Sequence, residues 1–402
     1  MKILIADNLN ESAVTLLTDG GFQVSVQPML KDDYLVSTLK SMQPQILIVR
    51  STKVTAAMCE ATDSLELIIR AGAGVNNIDL EAASQNAICV SNCPGMNAVA
   101  VAELTLAHLL NADRRLYENI QTAREGQWAK KSLSPGRGLK GTRLGILGFG
   151  AIGKAVAMRA RALDMEVVAW SGSMTDEVAR AYDIKWCADP TVLAKISDAV
   201  SIHLPLSDAT RGLIDANFIS KMKDKALLIN TARAEIIDEE ALVKALETQR
   251  IRAALDVISD EPKTDGPLSH KLIGQPNLYL SHHIGASTNQ AQIAVAQEAA
   301  KVALTFRDEG RAEHCVNMAV QTQATHLLVV RHFDRVGVLA KILDVLKSAA
   351  INIQGMSNEI FQGNEGAACA RIQLSNAPSL QVSAELSALD DVISYTIVGV
   401  RK

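Results

Sequence analysis

The stretch from Leu144 to Gly153 reads Leu-Gly-Ile-Leu-Gly-Phe-Gly-Ala-Ile-Gly and decides the fold of the central part of the chain. An apolar run typical of a strand leads into the pattern Gly148-x-Gly150-x-x-Gly153, and a helical pattern and a second strand (166–170) follow. The first glycine permits a tight turn, the second lets backbone approach a pyrophosphate, and the third lets helix pack on strand. Free N–H groups at the start of the helix then face the phosphates. The stretch therefore predicts dinucleotide binding.

The choice between NAD and NADP depends on the residue at the end of the second strand. An acidic residue that binds the adenosine ribose is expected about 20 residues after the glycine pattern. This position falls at Ser171, which lacks the negative charge that repels the 2′-phosphate of NADP. No arginine follows immediately to bind that phosphate. We expect NAD as the cofactor, and the sequence leaves NADP open.

Length and composition restrict the class of protein. A chain of 402 residues is long enough for two or three domains. Its net charge of -4 argues against nucleic acid or an acidic membrane surface as the main partner. The N-terminal residues 1–7 resemble a strand start and not a signal peptide, and no apolar run approaches the roughly 18 residues of a membrane helix. We expect a cytoplasmic protein without a membrane partner.

The six cysteines do not have the spacing of a zinc site. Small buried thiols in a reducing compartment explain them better than disulfides do. We therefore expect no bound metal.

The alternation of strands and helices predicts two α/β domains. Residues 1–97 form a small parallel, flavodoxin-like substrate domain, and 98–285 form the Rossmann nucleotide-binding domain. A long helix from Ala98 to Ile120, with Asn97 as N-cap, is apolar over more than one face and is expected between domains or subunits. A final helix, opened by a capping box at Ser287-x-x-Gln290 and ended by Gly310, returns the chain to the first domain. The substrate domain is thus predicted to be discontinuous, comprising 1–97 and 286–318.

A third domain is predicted after a polar linker, at residues 325–402. Its elements follow the order β-α-β-β-α-β, which is the ferredoxin-like split motif.

Three polar residues follow strands of the nucleotide-binding domain, at the edge where open α/β sheets bind ligands. His283 titrates near neutrality and suits a general base, while Glu261 suits the carboxylate that orients a histidine and raises its pKa. Arg233 suits a bidentate grip on a substrate carboxylate. Taken singly, each is at least as well explained as an ordinary loop residue. Together, after a dinucleotide motif, they indicate a hydroxyl-oxidising site.

Several motifs in their order resemble the D-2-hydroxyacid dehydrogenases, and the resemblance covers essentially the whole chain. The motifs are Gly148-Phe-Gly-Ala-Ile-Gly153, Asn230-Thr-Ala-Arg233, Leu255-Asp256-Val with Glu261-Pro262, His283-Ile-Gly-Ala-Ser-Thr, Arg70-Ala-Gly-Ala-Gly-Val-Asn76 and Asn92-Cys-Pro-Gly-Met-Asn97.

The resemblance implies an NAD-dependent oxidoreductase in which Arg233, Glu261 and His283 are catalytic. It implies cofactor contacts by Gly148, Gly150, Ala151, Ile152, Gly153, Ser171, His203, Pro205, Thr231, Ala232, Asp256 and Gly285. Two positions depart from the family. Ser171 replaces the usual aspartate, and Ala234 stands where glycine is common, which is tolerable unless φ is positive there.

The substrate is expected to be a phosphorylated 2-hydroxyacid, because cations and N–H donors suited to phosphate follow the N-terminal strands. The resemblance implies substrate contacts by Arg50, Ser51, Asn76 and Lys130, and Gly74 is expected to contribute from the turn that contains Asn76. As an alternative, these residues are solvated surface and the protein is a glyoxylate or hydroxypyruvate reductase. A less favoured alternative is an NAD(H)-sensing protein that resembles corepressors and binds a partner protein without turnover.

The C-terminal module resembles an ACT regulatory domain. In related dehydrogenases such domains pair between subunits and bind L-serine, so a homodimer or homotetramer with this effector is expected. The matching positions are His332, Asp334 and Asn352. Asp334 stands where asparagine is common, and a purely structural dimerisation module is the equal alternative.

Overall fold

The computed structural model of the chain describes residues 1–134, 136–172, 174–262, 264–319, 322–363 and 366–400. The chain divides into two compact units, Met1–Asn317 and Met318–Lys402. The predicted fold class is confirmed, because the first unit holds two parallel sheets with helices between their strands and the second holds a small antiparallel sheet.

The first sheet lies near the N-terminus and has five parallel strands. All four residues of its central strand, Ile46–Val49, are buried, as expected for a strand covered by helices on both faces. The elements are β1 (Lys2–Ile5), α1 (Glu11–Asp19), β2 (Gln23–Val26), α2 (Asp32–Met42), β3 (Ile46–Val49), α3 (Ala56–Cys59), β4 (Leu67–Arg70), α4 (Leu80–Gln85) and β5 (Cys89–Asn92). The strand order is β2-β1-β3-β4-β5, the flavodoxin-like order.

The second sheet has seven parallel strands. The strands and the helices around them are α5 (Ala98–Arg114), α6 (Leu116–Arg124), α7 (Lys130–Leu133), β6 (Arg143–Leu147), α8 (Ala151–Ala162), β7 (Glu166–Trp170), α9 (Asp176–Ala181), β8 (Lys185–Trp186), α10 (Pro190–Ile196), β9 (Ala199–Ile202), α11 (Ala216–Lys221), β10 (Leu227–Asn230), a 3-10 turn (Ala234–Ile236), α12 (Glu239–Glu247), β11 (Arg252–Leu255) and β12 (Leu278–Leu280). The strand order is β12-β11-β10-β9-β6-β7-β8, and the glycine motif lies between β6 and α8. Helix α13 (Asn289–Glu309) follows the last strand.

The helix predicted from Ala98 to Ile120 is two helices. Arg115 adopts a left-handed conformation (φ 50°) between α5 and α6, and the Asn111 side chain accepts a hydrogen bond from Tyr117 N at 3.0 Å. This bond satisfies a backbone donor at the start of α6 that a continuous helix would satisfy within its own backbone. Asn97 occupies the N-cap position of α5 as predicted, but its side chain makes no capping hydrogen bond, and its φ of -100° and ψ of 3° lie outside the extended region usual for N-caps.

Helix α13 covers the five-stranded sheet. Its alanine-rich face, which includes Ala296, Ala299 and Ala303, is buried in the core formed by β1, β3, β4 and α1. Its N-cap is Thr288, whose side chain accepts from Ala291 N, and not the predicted Ser287. The predicted stop at Gly310 is present, with a positive φ of 66°. The discontinuous substrate domain (1–97 and 286–318) and the nucleotide-binding domain (98–285) stay proposals that this packing supports.

The second unit is built from β13 (His326–Phe333), α14 (Val338–Ser348), β14 (Ile353–Ile360), β15 (Ala367–Leu374), α15 (Leu380–Ser387) and β16 (Val392–Gly399). Its antiparallel sheet has the order β14-β15-β13-β16. Apolar residues of both helices, among them Ile342 and Leu386, pack on the sheet. Residues 401 and 402, at the end of the predicted third domain, lie outside the described residues. Across the described part of the chain, no helix combines the length and apolar character needed to cross a bilayer.

Candidate active site

A cleft of about 460 Å³ lies at the carboxyl ends of both parallel sheets in the first unit. Most of the residues that the sequence predicts for cofactor, substrate and catalysis line it. They are Gly74, Asn76, Gly150, Ala151, Ile152, His203, Pro205, Thr231, Ala232, Arg233, Asp256, His283 and Gly285. A neighbouring cavity of about 280 Å³ shares His283 and is lined by the predicted residues Arg50 and Ser51.

The three glycines of the motif have different surroundings. A Cβ on Gly148, which has φ +95°, would lie 2.4 Å from His203 O, and one on Gly153 would lie 2.1 Å from Gly148 O. A Cβ on Gly150 would meet nothing within 4 Å. Gly148 and Gly153 are therefore required for packing, while Gly150 leaves the start of α8 open toward the cleft. This open backbone at a helix N-terminus fits the pyrophosphate of a dinucleotide.

Ser171 lies beside this loop and does not line the cleft. It directly follows Trp170, whose carbonyl oxygen accepts a hydrogen bond from Gly148 N at 2.8 Å. The side chain is partly buried. A ribose contact at this position stays a prediction.

Asp256 organises the loop that carries His283. Its carboxylate, only 1% exposed, accepts hydrogen bonds from Ser281 Oγ (2.6 Å), Ile284 N (2.9 Å) and Gly285 N (2.8 Å). The backbone oxygen of Asp256 accepts from His283 N at 2.8 Å. His283 itself has a left-handed backbone (φ 53°), a conformation that costs energy in a residue other than glycine. These bonds hold it there.

The structure brings His283 and Glu261 together. His283 Nδ1 lies 2.7 Å from Glu261 Oε2. The hydrogen bond to Glu261 raises the pKa of His283, burial opposes this, and the charges of Glu261 and Asp256 raise the pKa further. Since Nδ1 is taken by the carboxylate, Nε2 is the ring atom left to exchange a proton with a ligand.

Arg233 is fixed by its own loop and by the N-terminal sheet. The buried side chain of Asn230 braces the loop by donating to Arg233 O (2.8 Å) and accepting from Ala232 N (3.0 Å). The guanidinium donates to Ala232 O (2.6 Å) and to Asn76 Oδ1 (3.4 Å). Ala234 is not among the residues with positive φ, so alanine fits without strain.

Asp7 holds the loop that carries two predicted substrate residues, and the sequence analysis missed it. Its carboxylate accepts from the backbone N–H of Arg50 (2.7 Å), Ser51 (3.1 Å) and Thr52 (3.0 Å), and from Ser51 Oγ (3.0 Å). Burial raises the pKa of Asp7, but the hydrogen bonds from Arg50 and Thr52 outweigh it, so the net pKa is lowered. An acidic residue directly after the first strand was the available signal.

Arg70 was also missed and lines both cavities. Its Nε donates to Arg50 O at 3.1 Å. Burial, together with the nearby charges of Arg233 and Arg50, lowers the pKa of Arg70 to about 10. The Arg70 guanidinium thus lies close enough to those of Arg50 and Arg233 to be repelled by both at this end of the cleft. Such a cluster is stabilised by an anion that bridges the cations.

Lys130 is not brought to this site. It lies on α7, is exposed, and lines neither cavity. Its predicted contact with substrate stays a prediction.

The predicted effector residues lie in the second unit, where the structure separates them within one chain. His332 is buried, with Nδ1 2.8 Å from Phe333 O and Nε2 3.1 Å from Asn358 Oδ1. Asp334 follows the same end of β13. Asn352 precedes β14 at the opposite end of the sheet, where Ile353 and His326 both pair with Leu374. One chain alone therefore does not join the three.

Comparison with known proteins identifies the type of site. Residues 106–285 match the family described as D-isomer specific 2-hydroxyacid dehydrogenase, NAD binding domain. The chain is 39% identical over 326 residues to D-3-phosphoglycerate dehydrogenase of Methanocaldococcus jannaschii, covering 79% of this chain and 60% of that protein. It is 38% identical over 301 residues to hydroxypyruvate reductase of Thermotoga maritima, covering 74% of this chain and 95% of that protein.

A solved structure is similar over the same region. The NAD+-bound 3-phosphoglycerate dehydrogenase of Entamoeba histolytica superposes with a TM-score of 0.66 at 28% identity, covering 80% of this chain and 99% of that one.

Proposed function

Since the chain belongs to the D-isomer specific 2-hydroxyacid dehydrogenases, we propose that it has D-3-phosphoglycerate dehydrogenase activity. The reaction is NAD-dependent oxidation of 3-phospho-D-glycerate to 3-phosphohydroxypyruvate, the first step of L-serine synthesis. The observation that supports a phosphorylated substrate is the cluster of Arg50, Arg70 and Arg233. One cation serves the carboxylate of any 2-hydroxyacid, whereas a phosphate, with up to two charges, accounts for the other two.

The residues present fit an NAD cofactor. Gly150 leaves room for a pyrophosphate at the start of α8, and the carboxyl ends of β6, β9, β10 and β11 surround the remaining cleft. NAD, when bound, supplies the hydride acceptor. The contacts of Ile152, Pro205, Thr231 and Asp256 with it are part of this proposal.

The catalytic step follows from the three side chains at the cleft. Arg233 binds the substrate carboxylate and fixes C2, the carbon that loses the hydride. His283 Nε2 accepts the proton of the C2 hydroxyl as the hydride leaves. The carboxylate of Glu261, 2.7 Å from Nδ1, stabilises the imidazolium so formed and keeps the ring oriented. In the reverse direction protonated His283 returns the proton.

A second function has one observation in its favour. The similarity to a hydroxypyruvate reductase extends over 95% of that protein, so reduction of an unphosphorylated 2-ketoacid, hydroxypyruvate or glyoxylate, is the alternative. A corepressor-like protein that senses NAD(H) is disfavoured, because such a protein is not expected to carry an ACT-like C-terminal unit.

A substrate panel decides between these functions. NADH or NADPH consumption by the purified full chain is measured with 3-phosphohydroxypyruvate, hydroxypyruvate and glyoxylate at equal ionic strength. We expect kcat/KM for the phosphorylated substrate to be at least about 100-fold higher, since two cations near a dianion contribute several kcal/mol. Equal or higher values for hydroxypyruvate or glyoxylate contradict the proposal. Partner binding without any turnover favours the corepressor-like alternative.

We further propose that the C-terminal unit is an ACT-like regulatory domain that binds L-serine in a homodimer or homotetramer. The separation of Asn352 from His332 and Asp334 within one chain supports a site completed by a second copy. The same assay with and without L-serine, combined with light scattering, tests this. A monomer, or an oligomer indifferent to serine, contradicts it.

A further inference from the structure

A chain of hydrogen bonds connects the buried His108 of α5 to the loop of His283. His108 is 7% exposed, and its Nε2 lies 2.9 Å from Ser281 Oγ. Ser281 Oγ donates to Asp256 Oδ1 at 2.6 Å. Asp256 in turn accepts hydrogen bonds from the backbone N–H groups of Ile284 and Gly285, which directly follow His283.

The direction of this chain is fixed by counting protons. A serine hydroxyl can donate only one hydrogen bond, and Ser281 donates it to the Asp256 carboxylate. His108 must then donate to Ser281 through an Nε2–H. Burial lowers the pKa of His108, which favours the neutral ring with a single proton. The order is histidine to serine to carboxylate, and the carboxylate accepts from the loop.

A second chain of the same order passes through the loop of Glu261 and ends at Glu239 of α12. Ser259 Oγ donates to Glu239 Oε2 (2.6 Å), and Glu239 Oε1 accepts from Ser259 N (2.7 Å). His270 Nε2 lies 3.1 Å from Ser259 Oγ, and its Nδ1 accepts from Leu272 N at 3.3 Å. The side chains of Glu239 and His270 are each 8% exposed.

This second chain contains the serine, histidine and carboxylate of a hydrolytic triad, but its hydrogen bonds run in a different direction. A nucleophilic serine gives its proton to histidine, and the histidine is held by the carboxylate. Here Nδ1 of His270 is occupied as an acceptor, so Nε2 carries the proton and donates. Ser259 donates to Glu239 instead. The group therefore fixes a loop and does not activate a nucleophile.

In each chain the serine lies two residues before a member of the proposed proton-transfer pair. Ser281 precedes His283, and Ser259 precedes Glu261. Each loop also has one residue in the left-handed region, His283 (φ 53°) in one and Asp260 (φ 52°) in the other. Left-handed backbone at residues other than glycine persists only where surrounding bonds over-determine it. The two chains supply such bonds.

We propose that His108–Ser281–Asp256 and His270–Ser259–Glu239 are matched positioning chains that keep His283 Nδ1 and Glu261 Oε2 in hydrogen-bond contact. The two histidines, the two serines and Glu239 act through the pair, whereas Asp256 holds the loop of His283 and, under the proposed function, also contacts the cofactor. The proposal rests on the proposed function only in that His283 transfers the proton. A displacement of the order of 1 Å at such a pair lowers the rate by up to about 100-fold. Two buried chains that fix this one contact would therefore have a measurable effect on the rate.

The test measures His283 directly and needs no substrate. The full chain with ¹³C-labelled histidine is titrated by NMR, and His283 is assigned with H283Q among the eight histidines. The groups facing His283 are Glu261, Asp256 and Arg233. S259A and S281A each remove one hydroxyl, and E261Q defines the titration without the carboxylate. S197A is the matched control, because Ser197, the C-cap residue of α10, is fully buried and its hydroxyl donates to Leu193 O.

We expect S259A and S281A to move the titration of His283 to lower pH, toward that of E261Q, while S197A leaves it at the wild-type position. S259T and S281T keep the hydroxyl, so His283 should titrate at the wild-type position in both variants. H108Q, which keeps a donor near Nε2, should resemble wild type, and H108L should resemble S281A. An unchanged titration in both S259A and S281A, alongside a shifted E261Q, overturns the proposal.

Kinetics separate this inference from the proposed function. For whichever 2-hydroxyacid the wild type turns over, S259A and S281A should lower kcat about tenfold with little change in KM, since positioning acts on the chemical step. A wild type without activity on any hydroxyacid refutes the proposed function, and the NMR titration still decides whether the chains position His283. A raised KM with an unchanged kcat and an unchanged titration of His283 contradicts the positioning role.

Discussion

The two ends of the cleft differ in how their charges are balanced. At the hydride-transfer end, His283 and Glu261 form a pair at 2.7 Å, and Asp256 is saturated by three donors. At the anion end, Arg50 and Arg70 face Arg233, and none of the three forms an ion pair with a carboxylate among the described residues. The charges of the first end are balanced within the protein, whereas under the proposed function those of the second are balanced by the substrate.

This difference separates chemistry from specificity. A balanced pair can transfer a proton for any 2-hydroxyacid, because it interacts only with the C2 hydroxyl that all of them share. An unbalanced cation cluster favours whichever substrate brings the most negative charge. Substitutions at the first end should therefore affect all substrates equally, and those at the second should discriminate between them.

The largest effect is expected at His283. H283A removes the proton acceptor and should lower kcat by about 10²- to 10⁴-fold, the usual contribution of general acid–base catalysis, for phosphorylated and unphosphorylated substrates alike. Steady-state kinetics in both directions measure this. H282A is the control, because His282 is the exposed neighbour on the same loop and does not line the cleft. A loss confined to one substrate would contradict the assignment of His283 to chemistry.

The next effect is expected at Arg50 and should be selective. R50Q removes one cation but leaves the loop intact, because Asp7 holds the backbone N–H of Arg50 and not its side chain. KM for 3-phosphohydroxypyruvate should rise by about 10- to 100-fold, the cost of one charge-assisted contact, and KM for hydroxypyruvate should change little. K53Q, an equal charge change at an exposed residue of the same loop, should alter neither value. Equal losses for both substrates would place Arg50 on the carboxylate instead.

Local sequence predicted the parts of the site that depend on neighbours along the chain. Strand β7 has the predicted bounds, 166–170, and the glycine pattern lies between strand and helix as expected. These features depend on residue types within about one turn or strand, where steric rules act directly. The loops carrying Arg233, Glu261 and His283 were predicted for the same reason, since parallel strands end at one edge of the sheet.

Contacts between distant segments were not predictable from one sequence. Arg70 ends an apolar strand, as many surface arginines do, and only the fold places it against Arg50 and Arg233. His108 and Ser281 are 173 residues apart, and no local pattern joins them. The break at Arg115 lacks glycine or proline and depends on a bond from Asn111. Each of these was decided by tertiary packing, which overrides local propensity.

A smaller effect is expected where the two ends meet, at Gly74. A Cβ there would lie 2.3 Å from Arg233 Nη2, and Gly74 does not have a positive φ, so G74A tests space alone. The guanidinium should move aside and kcat/KM should fall about tenfold for every substrate, because each one uses Arg233 for its carboxylate. G399A is the control, since a Cβ on Gly399 meets nothing within 4 Å. A loss limited to the phosphorylated substrate would assign Arg233 to the phosphate and not to the carboxylate.

The smallest expected effect is a displacement of the pH profile that leaves the anion end unchanged. The hydrogen bond to Glu261 raises the pKa of His283 above its ordinary value of 6.5. Oxidation needs the neutral ring, so its rate should rise as pH passes upward through this pKa, and reduction, which needs the protonated ring, should fall over the same range. E261Q removes the bonded charge, lowers the pKa, and should move both midpoints to lower pH with KM for the phosphorylated substrate retained. E247Q, at the exposed end of α12, should leave the midpoints in place. A profile that E261Q does not move would mean that the 2.7 Å contact orients the ring without tuning it.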